Sequence, residues 1–71
     1  MVEITKENIE KKLKELTTNN IIIVKYDNKT QLTFKILDEN TMGCITKGAK
    51  CITSIEDINI YLKFGRQVFV K

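Results

Sequence analysis

The side chains that could do chemistry are few in this chain, and they lack partners. Cys44 and Cys51 are the only thiols, and the 71 residues contain no histidine. Histidine is the commonest general base and metal ligand, and the one side chain whose unperturbed pKa lies in the physiological range. Either cysteine therefore lacks the base that would activate it. Two thiolates also leave a zinc ion short of its four ligands, so neither a metal nor another cofactor is expected. If Lys47 and Gly48 form a two-residue hairpin loop, Cys44 and Cys51 fall opposite each other, with Cα atoms roughly 5.5 Å apart. The plain reading is two small, reduced, apolar residues; a redox pair or labile disulfide is the alternative. Ser54, Glu56 and Asp57 have the spacing of a helix start, and Asp38 and Glu39 that of a turn. The three glycines, Gly43, Gly48 and Gly65, are isolated and make no phosphate cradle. No catalytic residue emerges, and the chain reads as non-enzymatic.

Binding is the other chemistry available. Eleven lysines stand against one arginine, Arg66, and the formal net charge is +3. A basic chain raises the expectation of nucleic acid. Eleven isoleucines, six asparagines and a single alanine accompany the lysines, however. All three abundant types have A/T-rich codons, so the skew fits an A/T-rich genome such as that of a low-GC bacterium, its phages or its plasmids. Arginine, whose planar fork grips phosphate and guanine in bidentate fashion, is nearly absent. Lys25, Lys29, Lys35, Lys47 and Lys50 remain the candidates for a nucleic-acid surface, with Tyr26 as a stacking platform.

The elements that must position these residues follow from periodicity. Ile9, Leu13 and Leu16 share one face of a helix over Thr5–Leu16, with Thr5 as N-cap, Ile4 and Ile9 as a hydrophobic staple, and Glu7–Lys11 and Glu10–Lys14 as surface pairs. The β-branched run from Ile21 to Tyr26 reads as a strand. Gln31–Leu37 alternates, with Leu32, Phe34 and Ile36 on one side. Thr41–Thr46 and Lys50–Thr53 read as two further strands. Ser54 then opens a helix to Lys63 or Phe64, Gly65 ends it, and Gln67–Val70 reads as a last strand. The expected fold is α+β: one domain over residues 1–71, an antiparallel meander of four to five strands, order α-β-β-β-β-α-β. The charged start, Met1 to Glu10, has no signal-peptide character, and no membrane span is present. A cytoplasmic protein with reduced thiols is expected.

The apolar residues exceed what one-sided burial uses. Ile55, Ile58, Tyr61 and Leu62 make one stripe on the second helix, while Ile60 and Phe64 point away from Ile55. Pairing Leu37 with Met42 would leave Leu37, Met42, Cys44 and Cys51 on the sheet face opposite Phe34 and Ile36, and Ile21 to Val24 is apolar on both faces. Contiguous apolar surplus marks an interface. The sequence thus predicts a small accessory or inhibitory protein of a phage or mobile element that binds a protein target, associates with itself, or both. Ile60 and Phe64 are its expected anchors, with Tyr26 and Arg66 beside them. Nucleic-acid binding through the sheet lysines is the alternative.

Overall fold

The computed structural model describes all residues, Met1–Lys71, as an α+β domain. Its elements are β1 (Val2–Ile4), α1 (Ile9–Glu15), β2 (Ile21–Lys25), β3 (Gln31–Ile36), β4 (Thr41–Cys44), β5 (Ile52–Ser54), a 3₁₀ turn (Ile55–Asp57), α2 (Ile58–Lys63) and β6 (Gln67–Val70). The six strands form one antiparallel sheet in the order β1-β6-β2-β3-β4-β5.

That is one strand more than the meander predicted from the pattern. The extra strand, β1, has only three residues, too few to show an alternation. It exists because β6 returns beside β2 and offers a free edge to Val2, Glu3 and Ile4, with Ile4 opposite Val68. Ile4 is fully buried, so the chain start is tied into the core rather than only stapling α1. The helix itself is shorter than Thr5–Leu16. Thr5 and Asn8 exchange hydrogen bonds: the Asn8 carboxamide oxygen accepts from the Thr5 N–H at 2.8 Å, and the Thr5 hydroxyl accepts from the Asn8 N–H at 3.3 Å. Together they shape a leading turn before the regular helix. On its surface only Lys12 and Glu15 pair, at 3.6 Å, and the expected Glu7–Lys11 and Glu10–Lys14 pairs do not form.

Two hairpins of the meander are closed by the same device. Asp27 and Asp38 each turn a carboxylate back on their own loop: Asp27 accepts from Lys29 and Thr30 N–H groups at 2.7 Å, and Asp38 from those of Asn40 and Thr41 at 2.8 and 2.9 Å. These main-chain donors hold both carboxyls below their ordinary pKa, the Lys29 and Asn40 N–H groups contributing most. Each loop is therefore three residues long, and loop length sets register. The first places Ile22 and Val24 inward. The second pairs Ile36, rather than Leu37, with Met42. That one-residue difference corrects the expected face assignment of Met42 and Cys44, which are buried beside Ile36 and Phe34, while Leu37 lies on the opposite face as expected.

The core comprises Ile4, Ile22, Val24, Phe34, Ile36, Met42, Cys44, Ile55, Ile58 and Val68, and Ile9, Leu13 and Leu16 of the α1 region pack against it together with Tyr61 and Leu62 of α2. Both helices thus lie on the same face of the sheet, and the other face has no covering layer. At the end of α2, Gly65 adopts φ +77°, and the bonds from Gly65 N–H to Leu62 and from Arg66 N–H to Tyr61 complete a Schellman motif. This reversal delivers the chain into β6.

Candidate functional site

The outer side of α2 is built by helical spacing. Ile58, Tyr61 and Leu62 turn toward the sheet, with Ile58 fully buried, and the same rotation sends Ile60 and Phe64 outward, one turn apart. Phe64 is 69% exposed and Ile60 51%. The Phe64 ring does not fold back over the helix end. A phenylalanine so exposed contributes little to its own fold, since the stabilisation of an aromatic side chain scales with the area it buries.

Tyr26 and Arg66 come together beside this helix end. The Arg66 guanidinium lies 4.5 Å from the Tyr26 ring centroid, a stacked cation–π contact. Tyr26 in turn meets Tyr61 edge-on with centroids 6.3 Å apart, and Tyr61 meets Phe34 at 6.0 Å. This aromatic file runs from the core to the surface. Partial burial, reinforced by the neighbouring Tyr26 hydroxyl, pushes the Tyr61 phenol up to about 12. Tyr61 is therefore a neutral packing group, while the stacked Tyr26–Arg66 pair presents a preorganised cation at the surface. Of the four expected anchors, Ile60 pairs with Phe64 along the helix and Tyr26 pairs with Arg66 in space. Gly65 joins the two pairs through the chain.

The candidate nucleic-acid lysines are distributed differently. Lys25 and Lys35 project from the uncovered sheet face, with the Lys25 ammonium 5.2 Å from the Phe69 ring centroid. Lys25 and Lys29 also line a shallow depression with Tyr26, Asp27 and Gln67, while Lys47 and Lys50 belong to the β4–β5 connection. The largest concavity, about 1130 Å³, lies elsewhere, between α1 and the start of α2. Its floor is Ile9, Leu13, Ile36 and Ile55, and its rim carries Glu10, Asp38, Glu39 and Glu56 against Lys14. It is open to solvent and holds none of the expected anchors.

The cysteines do face each other across β4 and the start of β5: the Cys44 N–H donates to the Cys51 carbonyl at 2.7 Å. Their environments differ, Cys44 being buried and Cys51 exposed, and both are free thiols.

Sequence reasoning expects an apolar surplus on the second sheet face but misassigns its residues: Met42 and Cys44 are buried, and Phe69, Ile45 and Ile52 stand with Leu37 and Ile23 instead. On the uncovered sheet face Glu3, Phe69, Ile23 and Thr33 are successive cross-strand partners, and the Ile45 N–H continues the row by donating to the Thr33 carbonyl at 2.8 Å. Ile21 lies in the next row, and Ile45 and Ile52 are 53% and 73% exposed. The signal was present in Val68, Phe69 and Val70, an unbroken apolar run in what proves to be an interior strand with only one covered side. No helix is long and apolar enough to cross a membrane. The chain matches no protein-family model, no curated protein and no solved structure.

Proposed function

We propose that this protein is a non-enzymatic protein-interaction module that docks on a protein target through the outer face of α2. The observation that carries this reading is the exposure of Ile60 and Phe64, two large apolar side chains one turn apart with no role in the core. Such an i, i+4 pair is the minimal form of a helix that inserts apolar anchors into a groove. Arg66, already stacked on Tyr26, adds a cation whose position costs little further ordering on binding, and rigid aromatic and arginine groups dominate interface energetics. The target surface that fits has an apolar slot flanked by an acidic group. The skew of its composition toward lysine, isoleucine and asparagine, residues with A/T-rich codons, suits an accessory or inhibitory protein of a phage or mobile element in a low-GC bacterium.

Affinity capture from a low-GC bacterial extract tests the assignment, using the wild-type protein and its folded Phe64→Asp, Ile60→Asp and Lys47→Asp variants as baits. A protein held by the wild type and by Lys47→Asp, and lost from the other two, supports it. Retention of every captured protein by a folded Ile60→Asp/Phe64→Asp double variant refutes it.

A further inference from the structure

We propose that the uncovered face of the sheet is covered by a second copy of this chain, packed sheet to sheet about a two-fold axis that runs between β2 and β3. This goes beyond target binding and uses a different surface, so either proposal can fail without the other. Three observations carry it.

The first is that both halves of the face are apolar. One half, formed by β1, β6 and β2, presents Ile21, Ile23 and Phe69; the other, formed by β3, β4 and the chain around them, presents Leu37, Ile45 and Ile52. A two-fold axis between the central strands lays β2 across β3, β6 across β4 and β1 across β5, so each half meets the other half of the partner copy. Phe69 then meets Ile45, and the contact occurs twice, as an isologous interface requires. Two inner faces stacked about 10 Å apart are the ordinary way a sheet acquires a second apolar layer.

The second is the placement of charge. The face has one acid, Glu3, on edge strand β1. Lys50, exposed and adjacent to the Cys51 carbonyl that bonds to Cys44, flanks the opposite edge at β5. The same axis that joins the apolar halves brings Glu3 of one copy to Lys50 of the other, again twice. The face also carries Lys25, whose ammonium lies 5.2 Å from the Phe69 ring centroid, and Lys35, the cross-strand partner of Ile21, with Lys71 just beyond β6. The axis lays Lys35 of one copy across Ile21 of the other, so pairing requires the lysine stems to pack there and the Lys25 and Lys35 ammonium groups to swing out to water at the rim.

The third is area. The two longer extents of the molecule, 29 and 24 Å, bound the face at about 700 Å² per copy. That is a ceiling, so two copies bury at most about 1,400 Å², in the lower part of the range of roughly 1,200 to 2,000 Å² typical of stable interfaces. A domain this small buries a low fraction of its own surface, and a second layer supplies what its thin core lacks.

Sedimentation equilibrium between 5 and 500 μM, at 0.1 and 0.5 M NaCl, decides the matter. The wild type is expected to be dimeric at both salt concentrations. Ile45→Glu, at a position already exposed and so tolerated by the fold, and Thr33→Arg, at the centre of the row, are each expected to give monomers with unchanged circular dichroism. Ile60→Asp/Phe64→Asp is expected to stay dimeric. Glu3→Lys is expected to weaken dimerisation about three- to tenfold, as exposed ion pairs allow, and the charge exchange Glu3→Lys/Lys50→Glu to restore it. A monomeric wild type at 500 μM overturns the proposal, as does a dimer that survives Ile45→Glu and Thr33→Arg or dissociates on Ile60→Asp/Phe64→Asp. A monomer that shifts a fluorescent dT20 oligonucleotide assigns the face to nucleic acid; a monomer that does not assigns it to a different protein.

Discussion

Ile58 and Ile60 offer a controlled comparison, because they are the same residue type in the same short helix and differ only in direction. Ile58 is fully buried beneath α2 and Ile60 is 51% exposed. Replacing either with alanine removes three carbons, and both gain the same small helix-propensity advantage, a few tenths of a kcal/mol. At Ile58 the lost transfer free energy is about 2.4 kcal/mol at 0.8 per carbon. The cavity left between α2 and the sheet raises the cost to about 3 to 4 kcal/mol. At Ile60 about half of the transfer term applies and no cavity forms, so after the propensity gain the cost is below about 1 kcal/mol. A domain of this length has roughly 4 to 10 kcal/mol in total, so Ile58→Ala leaves a marginal protein and Ile60→Ala a nearly normal one. Urea denaturation followed by circular dichroism reads the difference. With a slope of about 1 kcal/mol/M for so small a chain, the two midpoints should differ by 2 to 3 M. Equal losses at the two positions, or a larger one at Ile60, would show that α2 does not face the sheet as described and would remove the basis for Ile60 and Phe64 as anchors.

Thiol accessibility gives a second test: an aromatic disulfide reagent should react at once with one thiol, lost in Cys51→Ser, while Cys44 reacts only on unfolding, as its burial requires. The two turn aspartates predict acid sensitivity. Their folded pKa values lie below the ordinary 3.8, so the stability they contribute is present above that pH and is lost as pH falls through the depressed values; urea midpoints should fall below about pH 4, less steeply in Asp27→Asn/Asp38→Asn. Tyr61 predicts the opposite limb. Its folded pKa of about 12 exceeds the ordinary 10, so stability is intact below pH 10 and is lost between 10 and 12, and Tyr61→Phe should flatten that loss and delete a phenolate absorbance step near pH 12. At Gly65, with φ +77° and a Schellman cap, alanine should cost about 1 kcal/mol in thermal or urea melts.

The architecture was largely legible because most of its elements carry their own signals. The β-branched run at Ile21, the alternation through Leu32, Phe34 and Ile36, and the Ser54 and Gly65 boundaries of the second helical segment each act locally, and each appears where its chemistry says. The Ser54 hydroxyl accepts from the Glu56 N–H at 3.2 Å, for example. Strand β1 was not legible, because three residues carry no period and the reason for the strand lies in β6, over sixty positions away. The orientation of Ile60 and Phe64 was readable from the 100° step of a helix. The contact between Tyr26 and Arg66 was not, since it depends on where the chain reverses after Gly65.

The uncovered face shows why the surplus could be recognised before it could be located. Counting apolar residues against one-sided burial needs only the totals, but assigning them to faces needs register, and register here is set by two three-residue loops. Reading the second loop as one residue longer exchanges Met42 and Cys44 for Ile45 and Gly43. That exchange would bury Ile45 and put a methionine and a thiol on the surface. The carboxylate of Asp38, by accepting from both Asn40 and Thr41, fixes the shorter loop and with it the identity of the exposed side chains. Gly43 is part of the same arrangement: a methyl group there would come within 3.2 Å of the Leu37 side chain, which lies over it. A turn aspartate that touches no partner thus decides which residues are available to one.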